Sequence, residues 1–210
     1  MLYLQEQLGV KSYRTVWLMG QKIRNAMTQR DALYQIGNYA QVDEIQIGGK
    51  QSRKNRKKNG PNKTPFLIAV EETKDGKPRF ISFEELADLS SGPIESALKK
   101  KVKLGTHLKT DGHPAYTEAH AAGQYKVKQV SQHKTPEKAH EHLKWVNTLT
   151  SNLKRFLLST YHGVHPHYRQ AYLAEFAYRF NRRYWPHEAF DRLLFACLNA
   201  PPITLPELRA

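Results

Sequence analysis

The sequence predicts an α/β fold: a mixed five-stranded sheet flanked by helices, with a small helical segment before it and a helical extension after it. Three observations predict it. Short strand-like runs separated by turn residues occupy residues 40–83. Between Pro93 and Val130, helical and strand-like segments alternate. Beyond about residue 141, apolar residues recur at helical spacing. At 210 residues the chain can bury a full core.

Residues 2–30 read as two short helices. Leu2, Leu4, Leu8 and Val10 mark the first, with Gly9 as a break. Ser12 is a candidate N-cap for the second, which carries Val16, Met19, Ile23 and Met27 at helical spacing. The cadence is that of a helix-turn-helix, with Tyr13, Arg14 and Trp17 opening a recognition helix. The alternative is an ordinary helical hairpin that covers a sheet. Residues 40–47 form the first strand, and a polar basic loop spans 50–64. Phe66–Glu71 and Arg79–Phe83 are the second and third strands, joined by a turn at Lys74–Lys77. Pro93 opens a helix to about Val102. Thr106–Lys109 is the fourth strand, Pro114–Ala121 a helix and Tyr125–Val130 the fifth strand. Helices follow at about 141–159, 166–184 and 187–198. Three antiparallel strands, then helix, strand, helix, strand and helix, is the element order of an RNase H-like fold. The organisation expected is a DNA-binding segment at 1–36, a catalytic domain at 37–165 and a helical extension at 166–210.

A net charge of +14 and a pI near 9.8 favour a polyanionic partner, with nucleic acid first and an anionic membrane surface second. A basic protein with no nucleic-acid role is the alternative. The single cysteine, Cys197, excludes an intrachain disulfide and a multi-cysteine zinc site, and its apolar run Leu193–Leu198 suggests a core position. No stretch has the roughly 20 apolar residues of a membrane span, and no signal peptide is visible, so a cytosolic protein with no membrane partner is expected. The ten histidines are scattered and read as surface or phosphate-contacting groups.

Against this charge, two acids stand out. Asp43 lies in the short acidic strand Ala40–Gly49, and Asp111 follows the fourth strand in Lys109-Thr-Asp-Gly-His113. In an RNase H-like sheet the first strand is central and the fourth lies beside it, so Asp43 and Asp111 should converge. Two such carboxylates can bind Mg2+ (or Mn2+), with substrate phosphate completing the coordination. Glu44 could replace Asp43, although adjacent strand residues point to opposite faces and both are not expected to serve together. Asp111 before Gly112 could instead be a turn residue. The helix near Glu141 should bury Trp145, Leu149, Leu153, Phe156 and Leu157, leaving Asn147, Ser151 and Lys154 on its other face. Asn147 and Lys154 are two turns apart, so that face can bring Asn147 to the metal and Lys154 to phosphate or a flanking base. Asn147 could equally be an ordinary polar helix residue. Glu141 and Glu175 are the acids that could take its place, with Glu175 otherwise pairing with Arg179 at i+4. The run Lys50, Arg53, Lys54, Arg56, Lys57 and Lys58 is either a solvated charge cluster or a sequence-independent phosphate contact. Arg179, Arg182 and Arg183, near Tyr178 and Tyr184, form a candidate backbone-contacting ridge, with a core position for the aromatics as the equal alternative.

Six segments carry a family resemblance. They are Leu4–Trp17, Val42–Lys50, Lys109–His113, Asn152–Arg155, Thr160–Val164 and Tyr172–Arg183. Together, in this order, the chain resembles a DDE-type insertion-sequence transposase of the ISXO-like family. That resemblance implies an RNase H-like catalytic domain whose catalytic set is Asp43, Asp111, Asn147 and Lys154, with Asp43, Asp111 and Asn147 on the metal. It implies DNA as partner, both transposon ends and target, contacted by Tyr13, Arg14, Arg155 and the basic residues above. It further implies a homo-oligomer, at least a dimer, at the bacterial nucleoid. Two departures stand beside it. The family's cysteine zinc ribbon is not present, and the third metal position is a neutral amide where Glu is common. A truncated DNA-binding remnant and an RNase H-like nuclease that only cuts are the alternatives to a transposase.

Overall fold

A computed structural model describes residues 2–48, 63–130 and 141–208. The expected basic loop at 50–58 therefore lies outside the described residues. Five strands form one sheet: β1 (Tyr39–Ile47), β2 (Thr64–Glu72), β3 (Pro78–Glu85), β4 (His107–Thr110) and β5 (Lys126–Gln129). Their spatial order is β3-β2-β1-β4-β5. The first three strands are antiparallel, and β4 and β5 add in parallel. This is the RNase H-like arrangement expected from the element order.

Seven helices surround the sheet among the described residues: α1 (Leu2–Gln7), α2 (Tyr13–Asp31), α3 (Ser91–Lys101), α4 (Pro114–Ala121), α5 (Lys144–Tyr161), α6 (Arg169–Asn181) and α7 (Ala189–Asn199). Ser12 caps α2 as expected, its hydroxyl accepting from the Thr15 N–H at 3.3 Å. Short 3-10 turns at Pro166–Tyr168 and Pro186–Glu188 precede α6 and α7, so both helices start later than their periodicity suggests. Proline at the head of each turn fixes φ but cannot donate, which favours a short 3-10 entry.

Strand pleating splits the core into two layers. Ala40, Val42, Leu67, Ala69 and Leu108 face α3 and α4, packing with Ile94, Leu98 and Tyr116. Ile45, Phe66, Ile68 and Val70 face α5 and α6, packing with Val146, Leu149, Leu153 and Leu173. Every residue of β2 from Phe66 onward is buried, because strands flank it and helices cover both faces. At about 25 cal/mol per Å2 of apolar surface removed from water, these two layers supply the main drive for folding.

The buried stripe of α5 is Val146, Leu149, Leu153 and Leu157. Trp145 is only partly buried, contrary to the expected stripe, because its indole N–H turns outward to the Gly76 carbonyl at 2.6 Å. Cys197 is half-buried rather than a core residue. Helix α7 docks through Leu193 and Ala196 on Ile23, Met27 and Tyr178, which leaves the rest of its turns less covered.

Candidate active site

The site sits where β4 ends and β1 continues. The β1–β4 ladder runs from Tyr39–His107 to Gln41–Lys109 and stops. Beyond it Asp43 projects from β1, and Asp111 follows the last residue of β4. Pleating places Asp43 on the face of Gln41 and Ile45, the face covered by α5. Glu44 belongs to the opposite face, where its carboxylate accepts from the hydroxyl of the fully buried Tyr116 on α4.

Opposite faces do not keep the two acids apart. One carboxylate oxygen from each of Asp43, Glu44 and Asp111 lies within 4.8 Å of the others. The pleat alone predicts that Asp43 and Glu44 point apart, yet their oxygens meet in one space. The β1–β4 ladder has ended by this point, so β4 does not pair with β1 beside Asp43 and Glu44. The longer Glu44 side chain reaches round the strand edge to the same space. Sequence reasoning used the pleat but could not see where the neighbouring strand stops.

Backbone donors hold two of these acids. Asp43 Oδ1 accepts from the Glu44 N–H at 2.8 Å, and Asp111 Oδ1 from the His113 N–H at 3.0 Å. No Lys or Arg among the described residues forms an ion pair with any of the three. Burial, then the charges of Glu44 and Asp111, push Asp43 up to about 7. Burial also raises Glu44, offset in part by the Tyr116 hydrogen bond, while Asp111 raises it further. Burial and the same acids hold the Tyr116 phenol well above its ordinary value, so it stays a donor. Three close oxygen donors that repel one another are the donor set a hard divalent cation neutralises. The residues fit a divalent metal ion.

Helix α5 begins over this site. Its Trp145 and Val146 N–H groups both donate to Gln41 on β1, two residues before Asp43. Asn147 follows at once, half-buried, and Lys154 lies two turns on, exposed. The two acids proposed as substitutes for Asn147 lie elsewhere. Glu141 is exposed before the helix starts. Glu175 pairs with Arg24 at 2.7 Å rather than with Arg179, and accepts from Tyr161 at the far end of α5. A buried Arg across the interface outcompetes an exposed i+4 neighbour.

The other expected contact residues scatter. Tyr13 and Arg14 are exposed at the start of α2, while Trp17 packs edge-on against Tyr168 with centroids 5.4 Å apart. Arg155 and Arg179 are exposed. Arg182 pairs with Asp31 at 2.8 Å and stacks on Tyr178. Arg183 donates to the carbonyls of Arg79 and Phe180 and stacks on Phe180 and Tyr184.

A family model described as the ISXO2-like transposase domain matches residues 36–181. The matched range holds all five strands, the three acids and helix α5. No curated protein matches the chain. The chain belongs to the ISXO2-like transposase domain family.

Proposed function

From this membership, we propose that the chain cuts DNA at the ends of its element and joins the freed ends to target DNA, in a divalent-metal-dependent reaction. The observation that carries the reading is the convergence of Asp43, Glu44 and Asp111, with no Lys or Arg ion pair to any of them among the described residues. Asp43, Asp111 and the side-chain carbonyl of Asn147 would hold Mg2+ or Mn2+, which when bound activates the attacking oxygen and stabilises the leaving one.

The chain's own residues bind and orient. In the first step water attacks the phosphorus at the element's end. A new P–O bond forms, the bond to the 3′ oxygen breaks, and that oxygen leaves as a 3′-hydroxyl once protonated. In the second step this 3′-hydroxyl attacks a target phosphodiester and displaces its 3′ oxygen. Phosphodiester count is conserved, so joining needs no nucleotide cofactor. Lys154 neutralises a phosphate or contacts a flanking base. Tyr13, Arg14, Arg155, Arg179 and the basic run from Lys50 to Lys58 hold the backbone, a salt-sensitive contact. Arg182 and Arg183 shape that ridge through their contacts with Asp31, Tyr178 and Phe180. Two ends must be held together for joining, which calls for at least a dimer. The place of action is the bacterial nucleoid. No helix among the described residues is long and apolar enough to cross a membrane.

The test is end cleavage and strand transfer with Mg2+ or Mn2+, comparing wild type with Asp43→Asn and Asp111→Asn. Both products should fall by on the order of a thousandfold in either variant, with DNA affinity nearly intact. Cleavage without joining would make the chain a nuclease. Binding without cleavage, even by wild type, would make it a DNA-binding remnant.

A further inference from the structure

Gln41 and Lys109 stand two residues before Asp43 and Asp111, on β1 and β4. Strand pleating puts Gln41 on the face of Asp43, and the β1–β4 register sets Lys109 beside Gln41. Glu72 on β2 joins them: Gln41 Nε2 donates to one carboxylate oxygen at 2.7 Å, and Lys109 Nζ pairs with the other at 2.7 Å. Gln41 and Glu72 are 2% and 6% exposed. The opposite end of the Gln41 amide turns to α5, where Oε1 accepts from the N–H groups of Trp145 at 2.9 Å and Val146 at 3.2 Å.

The first N–H groups of a helix have no partners within it. Leu143, at the N-cap of α5, has no side chain that can accept. The cap of this helix comes instead from the sheet. A side-chain amide meets the demand, since it can donate to a carboxylate and accept from two N–H groups at once. Glutamate could accept but would face Glu72 as a second anion.

We propose that Gln41 is a positioning residue: through the cap it fixes the first turn of α5, and with it Asn147, against the Asp43–Asp111 pair. The inference rests on the reading of that pair as the metal site. Gln41 touches neither metal nor DNA in this role. Its effect reaches the metal through Asn147.

The test is Mn2+ titration followed by electron paramagnetic resonance, with end cleavage alongside, on the full chain. Gln41→Met should weaken Mn2+ binding by about tenfold and lower kcat similarly, with the KM for DNA unchanged. In an Asn147→Ala background the same substitution should add almost nothing, because the residue it positions is already gone. Gln41→Glu should be as impaired as Gln41→Met. Adding Glu72→Gln should restore it, since the reversed pair again supplies one donor and the same acceptors. Mn2+ affinity within twofold of wild type in Gln41→Met would overturn the proposal. So would an equal loss in the Asn147→Ala background, which marks a general structural defect. If Asp43→Asn bound Mn2+ as wild type does, the acid pair would not be the metal site, and this inference would fall with that reading.

Discussion

Two regions of this molecule bury carboxylates, and they treat them in opposite ways. At the junction of α2 with α6, Glu175 meets Arg24 at 2.7 Å, and Tyr161 donates to the same carboxylate. Burial alone would lower the pKa of Arg24, yet Glu175, Tyr172 and Tyr161 outweigh it and the guanidinium is held more firmly protonated. Its Cζ also lies 4.0 Å from the Tyr172 ring centroid. Asp31 is partly buried and its pKa is raised by that desolvation, with Arg182 pulling it back. At the notch beside β4, three acids gather with no such partner among the described residues, and Asp43 rises to about 7. A paired buried carboxylate fixes helices to one another. An unpaired cluster keeps its electrostatic demand for something that binds from outside.

The junction should break hardest. Arg24→Met leaves Glu175 buried without its cation and should destabilise the fold by about 3–5 kcal/mol, read by denaturant unfolding at pH 7. A loss under about 1 kcal/mol would show that the ion pair does not hold α2 to α6 and would erase the contrast.

The notch should respond with the other sign. The folded pKa of Asp43 lies above its ordinary value of 3.8, so its favourable contribution is full below about pH 4 and is lost as pH rises through about 7. Asp43→Asn removes that loss. Without metal, the variant should match wild type near pH 4 and exceed it by roughly 2–4 kcal/mol above pH 7. Unfolding measured at pH 4.5, 6 and 8 with a chelator present tests this. Saturating Mg2+ should narrow the gap at pH 8.

Tyr116→Phe sharpens the comparison with the smallest effect. It removes the Tyr116 hydroxyl donor on Glu44 and should cost about 1–2 kcal/mol at pH 8. The loss should shrink when metal is added, because the cation then balances the same carboxylate.

Much of the fold is legible in the sequence for a simple reason. The strand alternation, Ser12 and Pro114 are local signals, and each fixes an element near the observed place. The pair Asp43 and Asp111 is legible too, because element order alone predicts adjacent strands. Glu44 is not, since its entry into the notch depends on where the β1–β4 ladder ends, a fact of tertiary register. Nor is the role of Gln41, whose partners Glu72, Trp145 and Val146 are distant in sequence. The partner of Glu175 fails for the same reason: Arg24 lies 151 residues away, beyond the reach of helical spacing.

The most direct measurement is calorimetric titration of the chain with Mn2+ at pH 7, in two buffers of different ionisation enthalpy. With Asp43 near half-protonated in the free protein, binding should release about half a proton per protein from that carboxyl, and more at pH 6. Asp43→Asn should abolish the release and weaken binding, while Lys154→Ala should leave both unchanged. Binding with no proton release, or equal binding by Asp43→Asn, would contradict the claim that the unpaired acids beside β4 are the metal site.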